Sequence, residues 1–427
     1  MDNWKRSLGV LLLPGIGLKR WLALAGAGVL LLVLGATLAA LELTALSLEV
    51  ADRLIGFGRA ATLANVLPVL WRGVLFGALG LAMFGAGAFQ AYRTLLSAAT
   101  YRRAGGGVVE NLSVRRSRRG GPAIAAIGGG TGMASLLRGL KRYTEDITAI
   151  VTAADDGGSS GRLRSDFGVS PPGDARQCLI ALSDSEPLMD EVLSYRFETG
   201  EGLEGHSMGN LLLTALAQNR GDLHDALQAA ARLLNIKGEV VPSTREPDLT
   251  LFAETEDAVF LHGESAIGTA NKPIAHLWVE PRGALANPAA LEAIARAEII
   301  VIGPGSLYTS ILPNFLIRGV SKAVEDSEVP KVFVCNVATQ YGETDNFDAE
   351  SHLRVFEEQA GVSVSHFLVN SRPIAVEPEF RQDPIRPANP HWFDGAFISA
   401  DLVDERLPTR HDPHKLAAQL LRILRAG

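Results

Sequence analysis

The stretch Ala123-Ile124-Ala125-Ala126-Ile127-Gly128-Gly129-Gly130-Thr131-Gly132 decides the fold, together with Asp155-Asp156-Gly157-Gly158-Ser159-Ser160-Gly161 downstream. The first five residues are a short apolar run, as a strand buried on both faces of a parallel sheet would be. Three glycines follow, then Ser135 to Lys141 with apolar residues at helical spacing. Strand, glycine turn and helix start point backbone N–H groups and a positive helix end at an anion, usually a phosphate. A second apolar strand, Ile147 to Ala153, ends at the Asp-Asp-Gly-Gly loop, so both loops should emerge at the carboxyl edge of one sheet. The usual dinucleotide spacing would need glycine at 128, 130 and 133, but 133 is Met. The turn alone fits a structural role as well as a phosphate; the neighbouring acidic loop favours the phosphate.

The rest of the domain repeats this pattern. Glu298–Ile302 is a strand opening into Gly303-Pro304-Gly305-Ser306-Leu307-Tyr308-Thr309-Ser310. Lys331–Cys335 ends at Asn336, and Ser365–Val369 at Asn370, with helices expected over Asn314–Val324 and Ser351–Glu358 between them. Glu239–Pro242, Leu249–Ala253, Ala258–His262 and Ile274–Val279 read as strands of an antiparallel insertion. The expected class is α/β, a three-layer Rossmann-like arrangement with a mostly parallel sheet, a small β-rich insertion and two transmembrane helices ahead of it.

Asp174 in Pro172-Gly173-Asp174 can be a helix N-cap or a ligand residue. Arg162, Arg164 and Arg176 are candidates to meet phosphate. Gly205-His206-Ser207-Met208-Gly209-Asn210 contains the Gly-x-Ser-x-Gly spelling of a hydrolase nucleophile elbow. That elbow needs a strand before the serine, whereas Glu198 to Glu204 is polar and glycine-rich, so a loop feeding a helix N-terminus, with Ser207 and Asn210 as polar ligands, is the favoured reading. His352, His366 and His391 remain paper candidates for a base.

The 427 residues are 47% hydrophobic and 20% charged, enough for a sizeable core. A formal net charge of −7 argues against a nucleic-acid partner. Cys178 and Cys335 lie in apolar contexts without metal spacing and read as reduced core thiols.

No charge falls between Leu22 and Leu41, nor between Gly73 and Phe89. Each run is close to the ~20 residues that cross a bilayer as a helix. Spans are expected at about residues 22–43 and 71–92, with Trp21, Trp71 and Tyr92 as interfacial anchors. Lys5, Arg6, Lys19 and Arg20 precede the first span; Arg93, Arg102 and Arg103 follow the second, whereas the connection mixes Arg53 and Arg59 with Glu49 and Asp52. This places both termini in the cytoplasm and the chain, multi-pass, in the inner membrane. A cleaved signal peptide would explain one span only. Residues 1–104 are thus the anchor, 105–121 an Arg/Gly-rich linker facing anionic lipid headgroups, and 122–427 the soluble domain.

Taken together, the motifs at 127–132, 154–161, 172–174, 205–210 and 303–310 resemble the YvcK/CofD-like family, nearer to its YvcK branch of gluconeogenesis factors. The likeness covers roughly Pro122 to Ile374. It implies a Rossmann-like nucleotide site for a UDP-sugar such as UDP-N-acetylglucosamine and a regulatory role tied to gluconeogenic growth, cell-envelope precursor supply and cell shape. It also implies self-association and a regulated enzyme of envelope-precursor synthesis as partner. The CofD branch implies instead a magnesium-dependent transferase with a nucleotide-activated 2-phospholactate donor. In the sensor reading there is no catalytic residue. Gly128, Gly129, Gly130, Thr131 and Gly132 cradle the diphosphate; Asp155 or Asp156, with Gly157, Gly158 and Ser159, takes ribose or Mg2+. Asn210, Gly303, Gly305, Ser306, Tyr308, Thr309 and Asn336 line base and sugar, and Asp174 and Ser207 are further ligand-binding candidates; in the transferase reading Asp155, Asp156 or Asp174 holds the metal.

Overall fold

The computed structural model describes residues 18–43, 68–100, 121–376, 381–386 and 390–426, and the chain forms two units, Met1–Ser117 and Arg118–Gly427. The expected linker, apart from Gly121, and the charged connection between the spans lie outside the described residues.

In the first unit, helices α1 (Leu18–Leu43) and α2 (Val69–Thr100) contain both expected spans. Gly73–Gln90 is long and apolar enough to cross a membrane; the apolar part of α1, Ala23–Thr37, is shorter. The two helices approach through glycine. A Cβ on Gly28 would lie 2.5 Å from the Phe84 nitrogen, and one on Gly35 2.7 Å from the Gly77 nitrogen. Without a Cβ at these positions the two backbones can pack directly against each other.

The second unit is built on seven strands, all parallel where they pair, in the order β10-β9-β8-β7-β1-β2-β3. They are β1 (Ile124–Gly128), β2 (Ile147–Val151), β3 (Glu239–Pro242), β7 (Ile299–Ile302), β8 (Lys331–Val334), β9 (His366–Asn370) and β10 (Ala396–Ala400). Alternate residues of β1 enter two cores. Ala125 and Ile127 join the one holding Phe315, Phe333 and Phe356; Ile124 and Ala126 join the one holding Met133, Leu179, Leu213 and Leu416. A sheet with apolar layers on both faces is what the continuous apolar runs require. The antiparallel insertion is three-stranded, β5 (Phe260–His262), β4 (Thr250–Thr255) and β6 (Ile274–Glu280), in the order β5-β4-β6.

Three differences from the sequence reading bear on the site. Glu239–Pro242 pairs in parallel with β2 as an edge of the main sheet, where Pro242 is tolerated, and is not part of the insertion. The helix expected over Asn314–Val324 breaks at Gly319, whose φ of +106° suits glycine, into Leu312–Phe315 and Val320–Glu325. Residues after 375 supply β10 and a last helix, Pro413–Ala426, which packs against Gly139 of the helix following β1.

Candidate functional site

Strand order reverses between β1 and β7: β2 and β3 follow on one side of the pair, β8 to β10 on the other. Such a switch point opens a crevice at the strand ends, and the two glycine loops emerge there. They pack against each other. A Cβ on Gly132 would lie 2.5 Å from the Pro304 carbonyl oxygen, and one on Gly305 3.2 Å from that of Gly129. Gly303 has a φ of +76°, so the turn itself demands glycine. Asn336 clamps the loop by donating from Nδ2 to the Gly305 carbonyl at 2.8 Å and accepting from the Gly305 N–H at 3.2 Å. Ser306 caps the turn Leu307–Ile311, accepting from the Thr309 N–H at 3.2 Å. The hydroxyls of Ser306 and Thr309 both donate to the Glu343 carboxylate, Thr309 at 2.9 Å. The resulting hollow of 320 Å3 is lined by Gly129–Gly132, Asp174, Gln177, Glu264, Gly305, Ser306, Thr309, Asn336–Gln340 and Thr409–His411. Tyr308 is absent from its wall. That ring is buried in the core, edge-to-face with Phe347 at 6.5 Å.

Carboxylates gather beside this crevice. The helix carrying Asp174 is capped by Pro172 and begins at Gly173, so Asp174 is no cap. Its side chain leaves the helix for the glycine turn: a Cβ on Gly129 would lie 2.2 Å from Asp174 Oδ2, and the Gly130 N–H donates to the carboxylate. Burial, then the charge of Asp155, pushes Asp174 up to about 7. Asp155 accepts from the Gly157 N–H at 2.8 Å and stands next to Gly173; burial raises it too. Asp156 turns elsewhere. It accepts from the Ser265 N–H at 2.9 Å and so fastens the insertion onto the Asp-Asp-Gly-Gly loop. The insertion in turn delivers Glu264, pushed up to about 8 by burial and then by Asp155 and Asp174. Asp155 and Glu264 both lie near Gly157, where a Cβ would be 3.4 Å from Asp155 Oδ1 and 3.9 Å from Glu264 Oε2.

Among the described residues no three acidic, histidine or cysteine side chains already stand in a metal's coordination shell. Magnesium, however, takes one or two carboxylates and keeps water and phosphate for the rest. Asp155, Asp174 and Glu264, hard oxygen donors that discourage each other's ionisation, fit that demand; the pair Asp155–Asp156 does not, because Asp156 holds the insertion.

A second hollow of 260 Å3 shares Asp174 and Gln177 with the first and is lined by Asp155, Gly157–Ser160, Gly173, Arg176, Arg196 and Asn210. Ser159 lies 3.0 Å from His206 Nδ1 and accepts from Asn210 Nδ2 at 3.1 Å. Burial, then Arg162, lowers the His206 pKa. Ser207 is fully buried and caps the helix Met208–Arg220, its hydroxyl accepting from the Asn210 N–H at 3.2 Å. A serine used as a cap, with no strand before it, is not a nucleophile elbow, and this overturns the hydrolase alternative.

The structure therefore brings Gly129 to Gly132, Asp174, Gly305, Ser306, Thr309 and Asn336 to one hollow, and Asp155, Gly157 to Ser159, Asp174 and Asn210 to the adjoining one. Gly128, Asp156, Ser207, Gly303 and Tyr308 support these walls without forming them. Sequence reasoning missed Glu264, Gln177 and Gln340, and also Arg410 and His411 beyond residue 375. His411 is buried and donates from Nε2 to the Cys335 carbonyl at 3.0 Å; burial lowers its pKa to about 4, so it is a neutral prop.

The profile of the family described as 2-phospho-L-lactate transferase CofD matches residues 124–403. This reaches further than the motifs alone suggested and takes in β10. A protein of Halalkalibacterium halodurans named gluconeogenesis factor is 45% identical over 267 residues, 62% of this chain and 83% of its own. The gluconeogenesis factor of Bacillus subtilis is 40% identical over 313 residues, 71% of this chain and 98% of its own. A Nostoc sp. protein provisionally given the same name is 40% identical over 427 aligned residues, 96% of this chain and 91% of its own. A crystal structure of a Bacillus halodurans protein superposes with a TM-score of 0.67 at 40% identity, covering 70% of this chain and 99% of that one.

Proposed function

The chain belongs to the CofD family, among relatives named gluconeogenesis factors, and on that premise we propose that it is a membrane-tethered regulatory protein that binds a nucleotide sugar, UDP-N-acetylglucosamine or a close analogue. The regulation is of growth on gluconeogenic carbon and of cell-envelope precursor supply, and hence of cell shape. One observation carries the reading: the glycine turn after β1 and the Gly303–Ser306 loop after β7 meet at the sheet's switch point over a hollow already lined with amides, hydroxyls and carboxylates. The diphosphate lies over Gly129–Gly132 at the N-terminus of the helix Gly130–Leu140. Magnesium held by Asp174 and Asp155, with Glu264 next to them, would neutralise the diphosphate. Tethering is supported by the outward side chains of the first unit: Leu30, Val33, Val74, Leu75, Leu79, Leu81 and Phe89 are exposed, an apolar surface that water does not favour. The Nostoc alignment covers 96% of this chain and so extends into that unit.

Calorimetry against UDP-, GDP- and NAD-type ligands with Mg2+ tests the binding claim. The expected result is selective uptake of UDP-sugars, recovered intact after prolonged incubation; uptake of none of the UDP ligands refutes it. The carboxylate group favours a second reading, in which the chain is a magnesium-dependent transferase with a nucleotide-activated 2-phospholactate donor. Release of free nucleotide on adding an acceptor would select that reading over the sensor.

A further inference from the structure

Two of the sequence motifs meet at the second hollow in a way that ligand binding alone does not use. Ser159, second residue of the helix Gly158–Phe167, comes from the Asp-Asp-Gly-Gly loop, and His206 from the Gly-His-Ser-Met-Gly-Asn turn. Each is 4% exposed, and the Ser159 hydroxyl stands 3.0 Å from His206 Nδ1. Asn210 Nδ2, which can only donate, reaches the same oxygen at 3.1 Å and occupies one of its lone pairs. The serine proton is thereby directed at Nδ1, and the ring carries its own proton on Nε2. Burial, then Arg162, lowers the His206 pKa against the pull of Asp166, so the ring is neutral and able to take a proton. A hydroxyl aimed at a neutral imidazole is the arrangement of an activated nucleophile.

The hollow is also furnished for an electrophile. Ser159 forms part of its wall, whereas His206 does not. Arg176 and Arg196 share that wall. Arg176, 7% exposed, donates from Nη1 to the Leu193 carbonyl and the Ser194 hydroxyl, while its buried Nε has no partner among the described residues. The helix Gly158–Phe167 starts without a side-chain cap. A buried guanidinium with a spare donor, beside the open N–H groups of a helix start, calls for an anion. Of the common electrophiles a phosphoryl group carries anionic oxygens, and a carbonyl does not. The hollow adjoins the glycine turn at Asp174 and Gln177, so a nucleotide with two phosphates over that turn places a third here.

Resting on the nucleotide reading above, we propose that Ser159 is a nucleophile with His206 as its base, and that it accepts the terminal phosphoryl group of a nucleoside triphosphate bound across the two hollows. The bond from Ser159 Oγ to the terminal phosphorus forms as the bond from that phosphorus to its bridging oxygen breaks. The serine proton passes to His206 Nδ1, and the nucleoside diphosphate leaves with the electron pair of the broken bond. The product is phosphoserine, which fills the hollow with negative charge and excludes ligands that reach beyond the turn, so the modification regulates the site. A nucleotide whose diphosphate is capped by a sugar has no terminal phosphoryl group to give and stays intact.

Incubation of the full chain with UTP or GTP and Mg2+, followed by intact-mass and peptide mass spectrometry, tests this. The expected result is one phosphoryl group per chain, on Ser159. Ser159→Ala should take up none, and His206→Asn, which keeps a polar group beside the serine without the basicity, should slow uptake about a hundredfold or more, the contribution of a general base. Melting temperatures control for folding, and the labelled residue in the unmodified protein decides the case should a variant not fold. A chain that binds UTP or GTP but stays unmodified, or is phosphorylated elsewhere, overturns the inference while sparing the nucleotide reading; so does an unchanged rate in folded His206→Asn. Should no nucleotide bind, the nucleotide reading fails with the proposed donor, and diisopropyl fluorophosphate decides for the serine alone. Displacement of its fluoride by Ser159 Oγ upholds the nucleophile, and an unlabelled serine overturns it.

Discussion

Gly129 is the sharpest place to perturb the site, and the structure gives the reason in distances. Its backbone is extended, with φ of −176°, so alanine would suffer no backbone strain there. The obstacle is Asp174: a Cβ at 129 would stand 2.2 Å from Oδ2 and 3.3 Å from Thr152 Cγ2. The second contact can relax; the first cannot unless the carboxylate leaves its seat and gives up the Gly130 N–H. Overpacking of this kind costs about 1–3 kcal/mol, and a hydrogen bond to a charged acceptor about 1.5–3 kcal/mol. Gly129→Ala should therefore destabilise residues 118–427 by about 2–4 kcal/mol and weaken nucleotide binding. In an Asp174→Ala background the obstruction is gone, and the same substitution should cost less than about 1 kcal/mol. Denaturant unfolding of the four proteins in a double-mutant cycle measures the coupling, expected at 1 kcal/mol or more. An equal cost of Gly129→Ala in both backgrounds would refute the reasoning, because the glycine would then be serving something other than Asp174.

Two further outcomes follow from the same geometry. Asp174 and Glu264 are raised from ordinary values of 3.8 and 4.5 to about 7 and about 8, so the folded protein holds protons that the unfolded chain has lost. Stability should fall as pH rises from about 4 to 8, by on the order of a few kcal/mol in all, and Mg2+ should restore much of it at pH 8; melting temperatures in EDTA and in Mg2+ across that range check both signs. Deleting residues 1–117 should move the protein from the membrane to the soluble fraction on ultracentrifugation, whereas a deleted chain that still sediments with membranes would contradict the anchor.

How much could be read beforehand followed from locality. Strands β1, β2 and β7 announced themselves because a strand buried on both faces is a continuous apolar run, and each led into a glycine-bearing loop. β3 reads as a strand of the insertion but joins the main sheet, because four residues, Glu239 to Pro242, carry no periodicity that separates a parallel edge from a hairpin strand. β10 carries no strand signal in the sequence, since Ala396–Ala400 is a partly exposed edge without alternation. Asp174 reads equally as a cap or a ligand residue because an aspartate before an apolar helical pattern serves either way; the helix starts at Gly173, just ahead of it, and frees the carboxylate to cross to Gly129. Glu264 and Arg410 had no local signal whatever. The first reaches the crevice because Asp156 pins the insertion at Ser265, the second because the chain returns after β10. Tyr308, conversely, sat in a legible loop but faces the core, a choice made by the turn Leu307–Ile311.

The central claim is that amides of the turn after β1 hold a diphosphate at the switch point, beside Asp174. A crystal structure with UDP-N-acetylglucosamine and Mg2+ tests it most directly. The account predicts diphosphate density over Gly129–Gly132, with the metal against Asp174 or Asp155. Density for the ligand away from the β1 and β7 loops, with the glycine turn in contact only with Asp174, would contradict it.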